Sequence, residues 1–275
     1  MARRDLDRAR DDFDAAIHLD AASAWTYNSR AVLHMQSGEV EPAIADYEQA
    51  LRRKPDYAFA RANLGYARLQ KGDFDGALSD LDKAIRLAPP RVEIALTYRG
   101  RAWLAKGNYE RALEDFAAAL KANPRYANAL SGRAYTRFCQ GNFDAAAEDF
   151  RSERQIRKDA ESAVDWLIAV RRGGHDGRAE LAEAMKGTDA SQGAAPGLAL
   201  FGGMITPEQA LQASSDRDPR LQRERTCTVS FAIGEWYLLR TERQHAQQYL
   251  SMSRESCDAS HPEFAAAGAE LARLP

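Results

Sequence analysis

Apolar residues recur at a fixed spacing through the first two thirds of the chain. An alanine returns every 34 or 35 residues, and a large apolar side chain stands four positions after it. Residues four apart lie on one face of a helix, so each copy predicts a helix with one small and one large apolar contact. The pairs are Ala9 and Phe13, Ala43 and Tyr47, Ala77 and Leu81, Ala112 and Phe116, and Ala146 and Phe150.

Glycine and proline mark the two ends of the predicted helix. A glycine precedes four of the alanines by five positions, and a proline follows three of them by twelve. These residues are Gly38, Gly72, Gly107, Gly141, Pro55, Pro89 and Pro124. Each copy therefore predicts a first helix, a glycine turn and a second helix. One such pair cannot bury its apolar face, so the copies are expected to stack into a right-handed superhelix with a long concave groove.

The period, the glycine turn and the proline resemble the tetratricopeptide repeat, a 34-residue unit of two antiparallel helices. The resemblance implies an all-α solenoid over residues 1–160. Its repeat units are 24–57, 58–91, 93–126 and 127–160, with Val92 as a one-residue insertion.

Residues 1–23 match only the second helix of a repeat, whose first helix would begin before Met1. A solenoid end without its partner exposes an apolar face. We therefore expect this chain to be a fragment or to have a misassigned start. The alternative is that another chain covers this apolar face, including a second copy of the same chain in a homo-oligomer.

Charged residues follow the same period. An aspartate stands three positions after each alanine, and three units carry an arginine in the preceding helix. We interpret these residues as ion pairs within each repeat rather than as ligand contacts, worth about 0 to 1 kcal/mol each. They are Asp12, Asp46, Asp80, Asp115, Asp149, Arg30, Arg99 and Arg133.

The period fades near residue 157. Glu153 stands where the other units have a small residue, and Lys158 replaces the proline. Residues 161–226 predict an irregular helical segment, in which Thr206-Pro207-Glu208-Gln209 has the form of a helix start. Residues 227–275 predict one more repeat of this type, followed by a C-terminal capping helix.

This order of modules is similar to the NlpI-type bacterial lipoproteins. Beyond the array, the resemblance rests on residues 163–167, 200–208 and 231–238. It implies an envelope adaptor, periplasmic or associated with the outer membrane, that holds peptidoglycan hydrolases and a processing protease together. The sequence departs from that family by lacking a lipoprotein signal and an anchoring cysteine.

Composition excludes several functional classes. The 38 basic and 40 acidic side chains give a formal charge of -2, which does not suit a nucleic-acid binder. Apolar stretches fall far short of the roughly 18 residues needed to cross a bilayer, so no transmembrane segment is predicted. No metal-binding, phosphate-binding or nucleophile motif occurs. We therefore expect no enzyme activity, cofactor or metal.

Three cysteines allow one disulfide. Cys227 opens the first helix of the last repeat and Cys257 follows its second helix, and antiparallel packing brings those ends together. The alternative is two free thiols in a reducing cytosol. We interpret Cys139 as a small core or groove residue rather than a reactive thiol.

The concave groove remains as the functional surface. The repeat register places first-helix residues on its wall, where aromatic and amide groups suit an extended peptide or a partner helix. For any one of them, the alternative is a place in the core between repeats. The predicted contacts are Trp25, Asn28, Phe59, Tyr66, Arg101, Tyr135 and Phe138.

The sequence therefore predicts a non-catalytic scaffold or adaptor that binds a protein or peptide partner in its groove. The envelope is its expected location. The alternatives are a cytoplasmic scaffold without the disulfide and a regulatory domain of a larger enzyme.

Overall fold

The computed structural model describes residues 3–19, 23–87, 89–186 and 195–274. Within these residues the chain forms sixteen helices and no strand, which confirms the predicted all-α class. None of these helices is both long and apolar enough to span a membrane. The helices are α1 (Arg3–Leu19), α2 (Ala24–Gln36), α3 (Val40–Arg53), α4 (Ala58–Gln70), α5 (Phe74–Arg86), α6 (Val92–Ala105), α7 (Tyr109–Ala122), α8 (Ala127–Cys139), α9 (Phe143–Arg157), α10 (Ala160–Arg172), α11 (Arg178–Lys186), α12 (Ala195–Phe201), α13 (Pro207–Ala213), α14 (Pro219–Leu238), α15 (Arg243–Ser256) and α16 (Pro262–Arg273).

Helices α2 to α9 form four pairs that stack in chain order. Each pair turns at one of the recurring glycines, whose φ lies between 75° and 83°, a range that other residues adopt only with strain. The periodic alanines of α3, α5, α7 and α9 are fully buried where the two helices cross. At Gly65, an added Cβ would lie 2.6 Å from Leu81, so only glycine allows this approach of α4 to α5.

The predicted arginine–aspartate pairs are present in three units. Arg30 donates to both carboxylate oxygens of Asp46, at 2.7 and 2.6 Å. The equivalent pairs, Arg99 with Asp115 and Arg133 with Asp149, each have distances of 2.9 and 2.6 Å. The aspartates are buried, so each bidentate pair fixes the first helix on the second.

The array continues with one more helix. The residue after α9, Lys158, has a φ of 58°, and this left-handed turn replaces the proline-marked ends of the other units. Helix α10 then packs along α9 as the first helix of a further unit would. Its Asp165 therefore occupies the register position of Asn28 and Ser131 on the concave wall.

The C-terminal part begins with short helices and ends with a long pair. Thr206 and Gln209 form the predicted capping box at the start of α13. Helices α14 and α15 pack closely where Leu250 meets Gly234. A Cβ added to Gly234 would lie 2.7 Å from the Leu250 side chain. Thr241 makes their turn with a φ of 62°, in the place of the repeat glycine.

The last helix lies on the inside of the superhelix. Besides α15, α16 packs against α6 and α8, which are first helices and so line the concave wall. Ala266 and Ala267 on α16 are fully buried there, and α14 also packs against α10. The C-terminal helices therefore fill part of the groove that the repeats create.

Candidate functional site

The part of the groove that remains open is a cavity of about 730 Å³, here called the central channel. Its lining comes from α2, α4 and α6 on one side and from the start of α14 and the end of α15 on the other. Val32, Met35, Asn63, Tyr66, Tyr98 and Arg223 are among the residues that line it.

Two stacked tyrosines form the aromatic wall of the central channel. The rings of Tyr66 and Tyr98 lie 4.5 Å apart with an angle of 23° between their planes. Burial raises the pKa of Tyr98 to about 12, so its phenol is neutral at physiological pH. Ser260, which precedes α16, donates a hydrogen bond of 3.4 Å to the Tyr66 hydroxyl. This bond joins the first half of the array to the C-terminal helices across the channel.

A second cavity of about 320 Å³, here called the acidic pocket, opens beside the central channel. Both cavities are lined by Tyr66, Glu224 and His261, so one extended ligand could enter both. Five carboxylates line the acidic pocket: Glu153, Glu161, Asp165, Glu224 and Glu263. Three basic side chains also line it: Arg101, Arg157 and His261.

Burial sets the protonation of this pocket. Glu153 is only 2% exposed, and loss of hydration raises the pKa of its carboxyl to about 8. Burial also opposes charge on His261, but the Glu263 carboxylate beside it raises the pKa of His261 to about 9. At pH 7 the imidazole is therefore charged, while Glu153 is mostly neutral.

Three of the predicted groove residues meet at the acidic pocket. Tyr66, Arg101 and Tyr135 are separated by 35 and 34 residues, so they share one register position on successive first helices. All three line the pocket. Tyr135 is only 2% exposed, and its hydroxyl makes no hydrogen bond to another described residue.

The other predicted contacts lie elsewhere. Asn28 accepts a hydrogen bond of 3.5 Å from Asn63, which lines the central channel. Trp25 and Phe59 are 62% and 39% exposed at the starts of α2 and α4, and they line neither cavity.

The assignment of Phe138 to the groove surface is wrong. Its side chain is 1% exposed. The ring packs against Phe143 at 5.0 Å and against Phe231 of α14 at 5.9 Å. Helix α14 thus covers the stretch of concave wall that would otherwise present Phe138, and the residue belongs to the core.

Several site residues were not predicted from the sequence. Glu263 and His261 reach the acidic pocket only because α16 folds back into the groove. Glu153 carried a signal: it replaces the alanine found at Ala50, Ala84 and Ala119. A carboxylate at a position where the other repeats have alanine cannot make the same close helix contact. It therefore indicates a departure from the regular packing of the repeats.

Cys227 and Cys257 are joined by a disulfide, which lies in the wall of the central channel. Cys139 is a free, buried thiol, and burial raises its pKa to about 12. Among the described residues, one group of three ligand-type side chains converges within 4.8 Å, namely Cys227, His261 and Glu263. The disulfide occupies its sulfur, which leaves fewer ligands than a zinc site uses.

Comparison with known protein families finds a match within the array. Residues 28–92 and 98–163 match the family model of the tetratricopeptide repeat. No curated protein matches the chain.

Several solved structures share the fold. PilW, described as a widely conserved type IV pilus biogenesis factor, is 20% identical over 66% of this chain and 86% of its own, with a TM-score of 0.62. A tetratricopeptide repeat protein from Parabacteroides merdae is 18% identical over 92% of this chain and 88% of its own, with a TM-score of 0.58. The Cut9-Hcn1 hetero-tetramer of APC/C contains a chain 15% identical over 98% of this chain and 46% of its own, with a TM-score of 0.63. At these identities the likeness shows the fold alone.

Proposed function

We propose that this chain is a tetratricopeptide-repeat protein and acts as a non-catalytic adaptor that holds an extended segment of a partner protein in the central channel. The observation that carries the proposal is the channel itself. The C-terminal helices fill part of the concave wall and leave this cavity of about 730 Å³ between α2, α4 and α14.

The lining suits a peptide. Tyr66 and Tyr98 offer large, rigid apolar surfaces with little entropy to lose, as the anchor residues of protein interfaces do. Asn63 and Gln70 supply amide groups that can bond to the backbone of an extended segment. Val32 and Met35 add apolar contact on α2, and Met adapts its shape to varied side chains.

Peptide selection followed by measured binding tests the proposal. Peptides selected on the full chain from a random library are titrated against Tyr66→Ala, Met35→Ala and a control, Phe59→Ala. The control removes an exposed ring that lies outside both cavities. We expect at least a tenfold loss for Tyr66→Ala and Met35→Ala and wild-type affinity for Phe59→Ala. Loss in Phe59→Ala alone would place binding on the outer edge of the array and overturn the channel assignment.

We further propose an envelope location, periplasmic or at the outer membrane, with the hydrolase- and protease-holding role of the NlpI-type lipoproteins. The support is the disulfide between Cys227 and Cys257, because such bonds persist in oxidising compartments and are rare in the cytosol. Alkylation of denatured protein from its native host, with and without reductant, provides the test. One thiol before reduction and three after would support the envelope, whereas three before reduction would favour a cytoplasmic scaffold.

A further inference from the structure

The acidic pocket is lined by five carboxyl groups and three basic side chains, and part of its polar surface has no hydrogen-bond partner. Oε2 of Glu153, Oε2 of Glu263 and the hydroxyl of Tyr135 make no hydrogen bond to a described residue. All three side chains are at most 3% exposed. Buried polar atoms without partners are costly, so their convergence on one cavity indicates a site that a ligand completes.

Two of the pocket's basic groups, Arg157 and His261, contact its carboxyl groups, whereas Nε of Arg101 makes no hydrogen bond to a described residue. Arg157 lies 3.4 Å from the other oxygen of Glu153 and also bonds to Asn128. His261 lies 3.7 Å from Glu263 and 3.9 Å from Asp258. The Arg157 contact leaves Oε2 of Glu153 free, and Nδ1 of His261 lies 3.7 Å from Oε2 of Glu263, beyond hydrogen-bond distance. Both oxygens can therefore still accept a hydrogen bond from an outside donor.

The arrangement favours an organic cation over a metal ion. The one described group of three converging ligand-type side chains does not include Glu153, Glu161 or Asp165. A hard divalent ion needs several oxygens at about 2.0 to 2.6 Å, and these carboxylates are too dispersed for that. An alkylammonium or guanidinium group donates several hydrogen bonds over a wider span, and it is also attracted by the rings of Tyr66 and Tyr135.

We propose that the acidic pocket binds the ammonium or guanidinium group of a lysine or arginine side chain carried by the segment in the central channel. This inference rests on the proposed function, because the two cavities meet at Tyr66, Glu224 and His261. A segment that lies against Tyr66 in the channel places its next side chain at the mouth of the pocket. The same chemistry would also accept a free organic amine, and the experiment separates the two sources.

The pocket is tested first without any peptide. Nα-acetyllysinamide, Nα-acetylargininamide and the uncharged Nα-acetylnorleucinamide are titrated into the full chain and followed by nuclear magnetic resonance. We expect both cations to shift the resonances of residues lining the pocket, with dissociation constants on the order of 1 mM, as suits ligands of this size. Equal binding of the uncharged probe, or binding of Ca²⁺ or Mg²⁺ without the organic cations, would overturn the inference.

Amide substitutions locate the effect. The double variant Glu153→Gln, Asp165→Asn keeps the shape of both side chains but removes two carboxyls that a bound cation would bring into the ionised form. It should weaken cation binding at least tenfold. Glu161→Gln, at the solvent-exposed edge, is a second variant with little risk to folding and should weaken binding less. Glu110→Gln changes an exposed carboxylate on α7 and serves as the control with wild-type affinity. Wild-type affinity in both the double variant and Glu161→Gln would move the cation site elsewhere and overturn the inference.

Peptide selection then separates this inference from the proposed function. We expect peptides selected on the wild type to share one lysine or arginine, and those selected on the double variant to lose that preference. Channel-binding peptides without a basic residue would overturn the pocket assignment while leaving the adaptor function intact. If the small cations bind but no peptide is selected, the pocket serves a free organic amine and the adaptor function fails.

Discussion

Arg172 at the end of α10 forms an ion pair with Glu270 of α16, with 2.9 Å between Nη2 and Oε2. The same guanidinium lies 3.2 Å from Glu235 of α14. Both carboxylates are almost completely buried, at 2% and 0% exposure. One arginine of the array thus contacts an acid from each of the two helices that fill the groove, and it fixes the C-terminal part against the repeats.

Removing that arginine should destabilise the protein strongly. Arg172→Met removes the cation that Glu235 and Glu270 share, although Glu270 keeps its ion pair with Arg273. Breaking buried pairs of this kind costs about 3 to 5 kcal/mol. Urea denaturation of the two proteins measures the change. The control is Arg178→Met, whose side chain is 88% exposed beside Asp176 and should change stability by less than about 0.5 kcal/mol. Similar stability for the two variants would contradict the structural role of Arg172.

Stability should fall as pH rises from 6 to 8.5. Burial raises the pKa of Glu153 and of Glu235 to about 8, from an unfolded value of 4.5. Between those values the folded protein binds more protons than the unfolded chain, so a rise in pH favours unfolding. His261 acts in the same direction because its pKa rises from 6.5 to about 9. We expect the Tm at pH 8.5 to lie about 4 °C or more below that at pH 6.

Substitution identifies the groups responsible for this pH dependence. Glu153→Gln removes one titrating carboxyl, so the difference in Tm between pH 6 and pH 8.5 should shrink. Glu110→Gln, which changes an exposed carboxylate, should leave the difference unchanged. A Tm that rises over this pH range would show that the buried acids are charged in the folded protein throughout.

The repeats were predictable because their determinants are local. Ala77 and Leu81 meet their partner Gly65 within one unit, so the 34-residue period carries the fold of the array. Arg133 and Asp149 are 16 residues apart and were paired correctly for the same reason. Such contacts depend on helical register, which the sequence displays directly.

The site was only partly predictable because it depends on contacts between distant segments. The hydroxyl of Tyr66 is hydrogen-bonded to that of Ser260, which lies 194 residues later in the chain. No periodicity of the sequence relates these two residues. Phe138 was misassigned because the ring that buries it, Phe231, comes from α14. Glu153 was noticed as a departure from the repeat, but its role needs α16 beside it. Departures from an otherwise regular pattern are where function is expected.

The disulfide should contribute substantially to stability. It closes a loop with a sequence separation of 30, for which the loss of chain entropy predicts about 3 to 4 kcal/mol. The double variant Cys227→Ser, Cys257→Ser should lose that amount in urea denaturation. Reductant should lower the Tm of the wild type and leave the Tm of the double variant unchanged. Equal sensitivity of the two proteins to reductant would show that the bond is not formed in solution.

Gly132 should be among the least replaceable residues of the array. A Cβ at this position would lie 2.3 Å from two ring atoms of Phe116, and that ring is fully buried and also close to Gly100. The ring has no room to move, so Gly132→Ala should destabilise by about 2 to 3 kcal/mol through overpacking. Gly107→Ala makes a matched comparison, because no atom beyond this residue and its chain neighbours lies within 4 Å of a Cβ added at this position. Its φ of 75° is unfavourable for alanine, so the substitution should cost about 1 kcal/mol.

A double-mutant cycle distinguishes overpacking at Gly132 from other causes. Phe116→Leu alone should destabilise, since it removes a buried ring. Combined with Gly132→Ala it should recover at least about 1 kcal/mol relative to the sum of the single changes, because the smaller side chain makes room for the new methyl group. Combined with Gly107→Ala it should give simple additivity. Additivity in both combinations would show that the cost at Gly132 lies in the backbone rather than in contact with Phe116.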